Sequence, residues 1–358
     1  MNAEITREEF TKIKDIPMVF ILGKGRSGTS LLQNMLDAHP AIIGPQESKF
    51  VVLLYPRFSH IKKWKKSDIL LFVECLYMEP LFANLWHIDK NELTKKLLSV
   101  KDFADYSVLC KIVYYQLRKG RENVLLISDK NPQYVLFIDT LLKIFPEARF
   151  VHIVREPRDN IYSHIVSFND KNPVFRAYQW LEFNKIVERK KAAMQGRFFS
   201  VKYENLVSNP EAIMRSLSEF LGIPFSSEMA RNKDAAVMNE QLAKSEMRKE
   251  GSRIHKELLR PVNTSNIGKW KNGMSEYARF ITETITSEFA KETYGYEPGA
   301  EQISNVRLSR FKLLRGKSVY FMWQIFTRMR FKNFQFNLWY SKLKRFIKKD
   351  KLPLWEYF

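Results

Sequence analysis

Two cysteines, Cys75 and Cys110, are all that this chain of 358 residues contains. No disulfide framework is implied and a reducing compartment is compatible, with a single bridge left open. No window approaches the ~18 to 20 uninterrupted apolar residues of a membrane-spanning helix. The opening stretch, MNAEITREEF, has acidic residues where a signal peptide carries a basic flank and an apolar core, so a mature N-terminus on a cytoplasmic chain is expected. The six histidines, His39, His60, His87, His152, His164 and His255, show no metal-ligand spacing, and His152 reads as a packed core residue inside a strand pattern. No internal repeat or low-complexity segment stands out. Negative charge is scarce: 39 Asp and Glu face 59 Lys and Arg, a net +20 that points to an anionic ligand, an anionic surface, or both.

Apolar residues make up 45% and aromatic residues 14% of the chain, which excludes global disorder and allows a sizeable core. The length suits a large α/β domain with an appendage as well as it suits two full domains. From Glu301 to Phe358 there are 14 Lys/Arg against three Asp/Glu, with 14 aromatic residues among them. The mixture changes near Tyr296-Glu297-Pro298-Gly299, where Pro and Gly end the preceding helix, so the expected division is a domain over 1–299 and a basic, aromatic-rich extension over 300–358.

The densest chemistry lies in FILGKGRSGTSLLQNML, Phe20 to Leu36. Val19 to Leu22 reads as a buried strand, and Leu31, Leu32, Met35 and Leu36 recur at helical spacing after Ser30. The loop between them, Gly23 to Ser30, sets glycines, two cations and three hydroxyls at a helix start, where unpaired N–H groups and the helix dipole favour an anion. Gly23, Gly28 and Ser30 fit the nucleoside-triphosphatase pattern G-x-x-x-x-G-K-[ST], but Thr29 stands where the lysine for the β/γ-phosphates belongs. Arg26, inside the loop, can reach the far side of a single phosphate, and its planar fork suits phosphate or sulfate. The bland alternative, a Gly/Ser turn with no ligand, rarely carries this density of donors.

Two further units repeat strand, polar turn, helix. Val124 to Ile127 precedes Ser128-Asp129-Lys130-Asn131-Pro132, and Arg149 to Val154 precedes Arg155-Glu156-Pro157-Arg158-Asp159 and a helix carrying Ser163. The alternation predicts an α/β fold, a P-loop-like parallel β-sheet flanked by helices, with ligands beyond the carboxyl ends of the strands. Arg26, Lys130, Arg155 and Arg158 are then expected along one edge. Residues 68 to 117 read as helices over one side of a pocket, and Lys62 to Lys66, broken by Trp64, as a solvated face. Phe198 to Tyr203 reads as a strand, Pro210 to Gly222 as a helix, 231 to 256 as a flap or exposed helix, and Ser275 to Tyr294 as an amphipathic helix. Glu47, after the short apolar stretch Ala41 to Ile43, is a solvated loop residue on spacing alone.

These blocks, in this order, resemble sulfotransferases that use 3′-phosphoadenosine-5′-phosphosulfate (PAPS), and the tyrosylprotein branch more than the cytosolic branch. The match runs from about Pro17 to Pro298. GKGRSGTSLLQNMLDAHP is similar to the 5′-phosphosulfate loop, which implies that Ser27, Gly28, Thr29 and Ser30 hold the 5′-phosphate and that Arg26 is the loop cation. VREPRDNIYS is similar to the 3′-phosphate motif and implies Arg155 and Ser163 as its ligands. VKYENLVSNP implies Tyr203 near the adenosine, and RPVN followed by IGKW implies Arg260 at the donor's phosphates. Cytosolic members place a histidine where this chain has Lys130; tyrosylprotein members use a glutamate in a stretch like GPQESKF, and the match falls on Glu47. The resemblance thus reverses the reading from spacing: Glu47 is the expected base, with Arg26 and Lys130 neutralising charge on the sulfuryl and bridging oxygens. No metal is required.

The expected function is transfer of a sulfuryl group from PAPS to an acceptor hydroxyl. The tail, with its interleaved rings and cations in SVYFMWQIFTRMRFKNFQFNLWYSKLKRFIKK, suggests a membrane interface and through it a lipid-like acceptor such as a sterol or steroid, in a pocket lined by Phe50, Leu53, Leu54 and Tyr55. A peptide tyrosine, a phenol or a carbohydrate hydroxyl is the alternative acceptor. The tail also reads as an extension packing its aromatics on the domain, or as a nucleic-acid track. Rival classes are a kinase or nucleotidase, against which Thr29 counts, and a basic membrane-surface or nucleic-acid-binding protein with an inactive nucleotide fold.

Overall fold

The computed structural model describes residues 4–118, 120–231, 262–299 and 310–340. MVFIL at Met18–Leu22 is buried along its whole length, as an unbroken apolar run must be in a strand covered on both faces. This strand, β1, is the middle of a parallel sheet whose other members are β2 Ile42–Ile43, β3 Leu126–Lys130, β4 Arg149–Val154 and β5 Phe198–Lys202, in the order β2-β3-β1-β4-β5. Side chains alternate across it. Val19 and Ile21 face Leu32, Leu36, Met214 and Leu217, while Phe20 and Leu22 face a larger core that includes Phe50, Tyr134 and Phe145. Because β3 and β4 flank β1 on opposite sides, the chain reverses direction of winding at β1, and the crevice for a ligand opens at the carboxyl ends of these three strands.

Two strand limits differ from expectation. β3 runs on through Ser128, Asp129 and Lys130, since Asp129 pairs with Phe20 and Lys130 with Ile21 in the ladder; the buried Asp129 is accommodated by hydroxyls of Tyr114 and Tyr134. β5 ends at Lys202, and Tyr203 opens the helix Tyr203–Ser208. The helix Pro210–Leu221 starts at proline and stops where Gly222 takes φ 68°, a left-handed turn that favours glycine. Glu276–Tyr294 starts at Ser275, whose Oγ accepts from Ala278 N.

Five helices between Phe50 and Tyr115 cover one side, but the residues expected to line an acceptor pocket there do not. Phe50, Leu53 and Leu54 are at most 1% exposed, and the Phe50 ring lies 5.6 Å from Trp86 and 5.2 Å from Tyr114. Their apolar surface is used up in the core; Tyr55 packs edge-on to Tyr106 at 5.5 Å. Trp64 likewise leaves its basic neighbours and stacks on Phe58.

The described part of the extension forms the helix Arg310–Lys332 and continues to Tyr340. Of the readings for the tail, packing on the domain is realised by its inner face. Trp323 lies against Phe175 and Phe183 at 5.9 Å, and Phe331 stacks on Phe137 at 4.4 Å. Among the described residues no helix is long and apolar enough to cross a membrane.

Candidate functional site

The loop between β1 and the helix Thr29–Asp37 is folded by two backbone positions. Gly28 caps the helix at φ 95°, and a Cβ there would come within 2.5 Å of the Tyr203 ring. Arg26 takes φ 72°, left-handed for a residue with a side chain, a strain of ~1 to 3 kcal/mol of the kind that collects at functional sites. The first-turn N–H groups of the helix have no carbonyl one turn earlier and open toward the crevice. Asn160, which sequence reasoning did not single out, fixes the loop: its Nδ2 donates to Ser27 Oγ at 2.9 Å and to Gly25 O at 3.1 Å. His164 also holds Gly25 O, at 3.1 Å, which requires the proton on Nε2. Burial, then Lys24, Arg176 and Arg26, push His164 well below its ordinary value, so it is neutral. Lys24 is itself buried and, among the described residues, has no acceptor for its ammonium; burial followed by Arg176 pushes it well below the usual lysine range.

At the end of β3, the Lys130 ammonium pairs with Glu47 Oε1 and donates to Ser30 Oγ at 3.0 Å. Glu47 keeps 35% of its side chain exposed, enough to meet an incoming group. Its loop is tied down on both sides: Gln33 Nε2 donates to Pro45 O and Ser128 O, Trp86 Nε1 donates to Gln46 O at 3.1 Å, and Ser48 Oγ donates to Glu79. Behind Lys130, Asp129 is buried and accepts from Tyr114 at 2.6 Å and Tyr134 at 2.7 Å. Burial pushes its carboxyl up to about 6, against the pull of those two hydroxyls.

On the β4 side, Arg155 reaches across three segments. Its Nη1 donates to Arg26 O at 3.2 Å and its Nη2 to Asn266 O at 2.5 Å, while the guanidinium lies 4.5 Å from the centre of the Tyr203 ring. Arg26 Nε donates to Ser163 Oγ at 3.1 Å. Asp159 takes the N–H groups of Gly268 and Trp270, which seats the IGKW segment over this side. Arg158 does not join the row of cations expected along the edge. It is engaged by Glu156 and Glu283 and lies 4.2 Å from the centre of the Trp270 ring.

The expected residues therefore form two groups around the loop Ser27–Ser30. Glu47, Lys130 and Ser30 meet on the β3 side; Arg26, Arg155, Ser163 and Tyr203 meet on the β4 side. Arg260 and the expected flap, apart from Arg231, lie outside the described residues. The grouping fits an elongated anion with one phosphate at an end and a second anionic group in the middle: two cations with a hydroxyl at one end, a helix N-terminus in the middle, and a cation with a carboxylate at the other. Arg155 Nε and Asn160 Oδ1, buried and without a hydrogen-bond partner among the described residues, leave polar capacity at that cradle. Asn160 and Asp159 sit in the helix-opening block VREPRDNIYS, but only the packed loop shows what they bind. His152 is a core residue as expected: wholly buried, 3.0 Å from Asn184 Oδ1, and pushed down to about 4 by burial.

Comparison with known proteins bears on this geometry. A family model described as the Sulfotransferase family matches residues 17–227. Over 301 residues the chain is 26% identical to protein-tyrosine sulfotransferase 1 of Danio rerio, covering 80% of this chain and 74% of that protein. It is 22% identical over 268 residues to protein-tyrosine sulfotransferase of Drosophila melanogaster, covering 72% of this chain and 47% of that one. Among solved structures, the sulfotransferase domain from the curacin biosynthetic pathway is similar in fold, with a TM-score of 0.51 at 19% identity over 77% of this chain and 98% of that domain.

Proposed function

The chain belongs to the sulfotransferase family and is a PAPS-dependent enzyme, and from that premise we propose that its acceptor is the phenolic hydroxyl of a tyrosine in a protein or peptide. The observation that carries the reading is the likeness, over four fifths of the chain, to a protein named for that acceptor. It displaces the lipid-like acceptor expected from the tail, whose supposed pocket is core. The chemistry of Glu47 agrees. A phenol has a pKa of about 10, so a carboxylate can take its proton during attack far more readily than that of an aliphatic alcohol.

PAPS, when bound, supplies a sulfuryl group activated by its 5′-phosphate. Ser27, Thr29, Ser30 and the helix N-terminus hold that phosphate; Arg155, Ser163 and Arg26 hold the 3′-phosphate side, with Tyr203 beside the base. Glu47 accepts the acceptor's proton as the acceptor oxygen forms its bond to sulfur and the bond from sulfur to the 5′-phosphate oxygen breaks, releasing PAP. Lys130, held between Glu47 and Ser30, neutralises the charge that gathers on the departing oxygen.

The test is incubation with sulfur-labelled PAPS and a panel of tyrosine peptides, the same peptides with phenylalanine in place of tyrosine, sterols and sugars. Label should enter only the tyrosine peptides. Label confined to a sterol or sugar overturns the acceptor while leaving the family intact.

A further inference from the structure

The helix Arg310–Lys332 has one face committed to the domain and another committed to nothing described. Tyr320, Trp323 and Phe331 point inward and are at most 7% exposed. Phe311, Leu314, Met322, Ile325 and Met329 point outward and are 53% to 72% exposed. Their spacing of three, eight, three and four residues keeps them on one side of the helix, in a stripe about 27 Å long at 1.5 Å per residue. Five large apolar side chains left in water along one line exceed the scattered exposure that is ordinary at a surface.

From this stripe and the charge around it, we propose that the outward face of Arg310–Lys332 docks on an anionic lipid bilayer, lying in the plane of the headgroups. Charge complementarity selects that occupant. Residues 310 to 340 hold seven Lys/Arg and not one Asp or Glu, and Arg315, Arg328 and Lys332 are exposed beside the stripe. A second copy of the chain would bring the same cations against these, at a cost in repulsion. A bilayer with anionic headgroups over acyl chains matches an apolar line with cationic flanks along its whole length. Trp339, 54% exposed and seven residues beyond Lys332, adds a ring of the type that settles at the headgroup level.

The packed inner face turns this from a loose tether into a fixed mount. Phe331 stacks on Phe137, and the Lys49 ammonium lies 5.8 Å from the centre of the Phe331 ring. Lys49 follows Glu47 by two residues, and Phe137 follows Lys130 by seven. The docking helix is therefore joined rigidly to the two segments that deliver the reacting groups.

The experiment is sedimentation of the full chain with phosphatidylcholine vesicles, with and without phosphatidylserine, at low and high salt. The comparison variant is Met322→Asp with Ile325→Asp, both on the outward face, with melting temperature and PAP binding checked against the wild type. The wild type should sediment with the phosphatidylserine vesicles only, and binding should fall about tenfold or more at high salt and in the variant. Wild-type protein that leaves both vesicle types in the supernatant overturns the proposal. So does a folded variant that binds as the wild type does, which would move binding to the cations alone, or a wild-type dimer in light scattering that the variant dissociates, which would assign the face to a second copy.

Discussion

Arg26 Nε donates to Ser163 Oγ across 3.1 Å, so the cation of the phosphate loop rests on the helix after β4 and leaves Lys130 as the cation in contact with Glu47. The two residues expected to share one task stand on opposite sides of the loop. Lys130→Met should therefore lower turnover by about 10² to 10³ with PAP affinity changed less than tenfold, as for loss of one group that stabilises transition-state charge. Arg26→Ala should weaken PAP binding more than Lys130→Met does. Calorimetric PAP titration beside steady-state rates separates them, and the reverse pattern would exchange the roles.

Glu47→Gln keeps the shape and a hydrogen-bonding partner for Lys130 but cannot take a proton. PAP binding should persist while turnover drops by about 10² to 10⁴. A variant that turns over near the wild-type rate would move the base elsewhere.

PAP should raise the melting temperature well above the effect of AMP, because Arg155 and Ser163 meet a 3′-phosphate that AMP lacks. Arg155→Ala should erase that difference, and Ser163→Ala should reduce it. If ATP with Mg²⁺ stabilises the protein as well as PAP does, the placement of the 3′-phosphate is wrong.

Asp129 gives stability a pH dependence of defined sign. Its folded carboxyl is raised from about 4 to about 6 by burial, so between those values the native state holds a proton that the unfolded chain has lost, and this group's contribution falls as pH rises. His152, lowered from 6.5 to about 4, acts in the opposite sense: the unfolded chain binds the extra proton, so stability rises with pH. Asp129→Asn keeps an acceptor for Tyr114 and Tyr134 and removes only the first effect. Relative to the wild type it should gain stability from about pH 4 to pH 6 in denaturant titrations; a pH-independent difference would show that Asp129 is not the source.

Trp323→Ala should cost about 3 to 5 kcal/mol, the range for truncating a buried large aromatic, since its ring fills the space between Phe175 and Phe183. Chemical denaturation measures it. A loss below about 1 kcal/mol would mean that the extension is not part of the folding unit.

The donor side of this protein is written in contiguous sequence. A strand, a glycine-bearing loop and a helix within Met18 to Asp37 make an anion site from backbone geometry alone, so Gly28, Thr29 and Ser30 were legible from spacing and local propensity. The β4 block likewise showed a strand, a polar turn and a helix, but the choice of Arg155 and Ser163 as ligands came from the resemblance to the 3′-phosphate motif. Strand identity came from apolar runs; its limits faltered at Tyr203, which opens a helix instead of ending β5, and where polar residues stayed in the ladder, at Ser128 to Lys130. There the deciding contacts are Tyr114 and Tyr134, hydroxyls reaching Asp129 from outside the strand.

Tertiary structure alone decided which cation stands next to Glu47, that Arg158 is taken up by Glu156 and Glu283, and that Asn160 fastens the loop. Apart from Arg158 with Glu156, which are neighbours in sequence, these pairings join residues 83, 125 and 133 positions apart, and no local pattern encodes a partner at such a distance. The tail shows the division most plainly. Its composition established that rings and cations are interleaved from 310 to 340, but both a packed helix and a surface helix satisfy that composition. Helical periodicity sends Tyr320 and Trp323 one way and Met322 and Ile325 the other, and only the presence of Phe175 and Phe183 on one side determined which rings were buried and which apolar face was left in water.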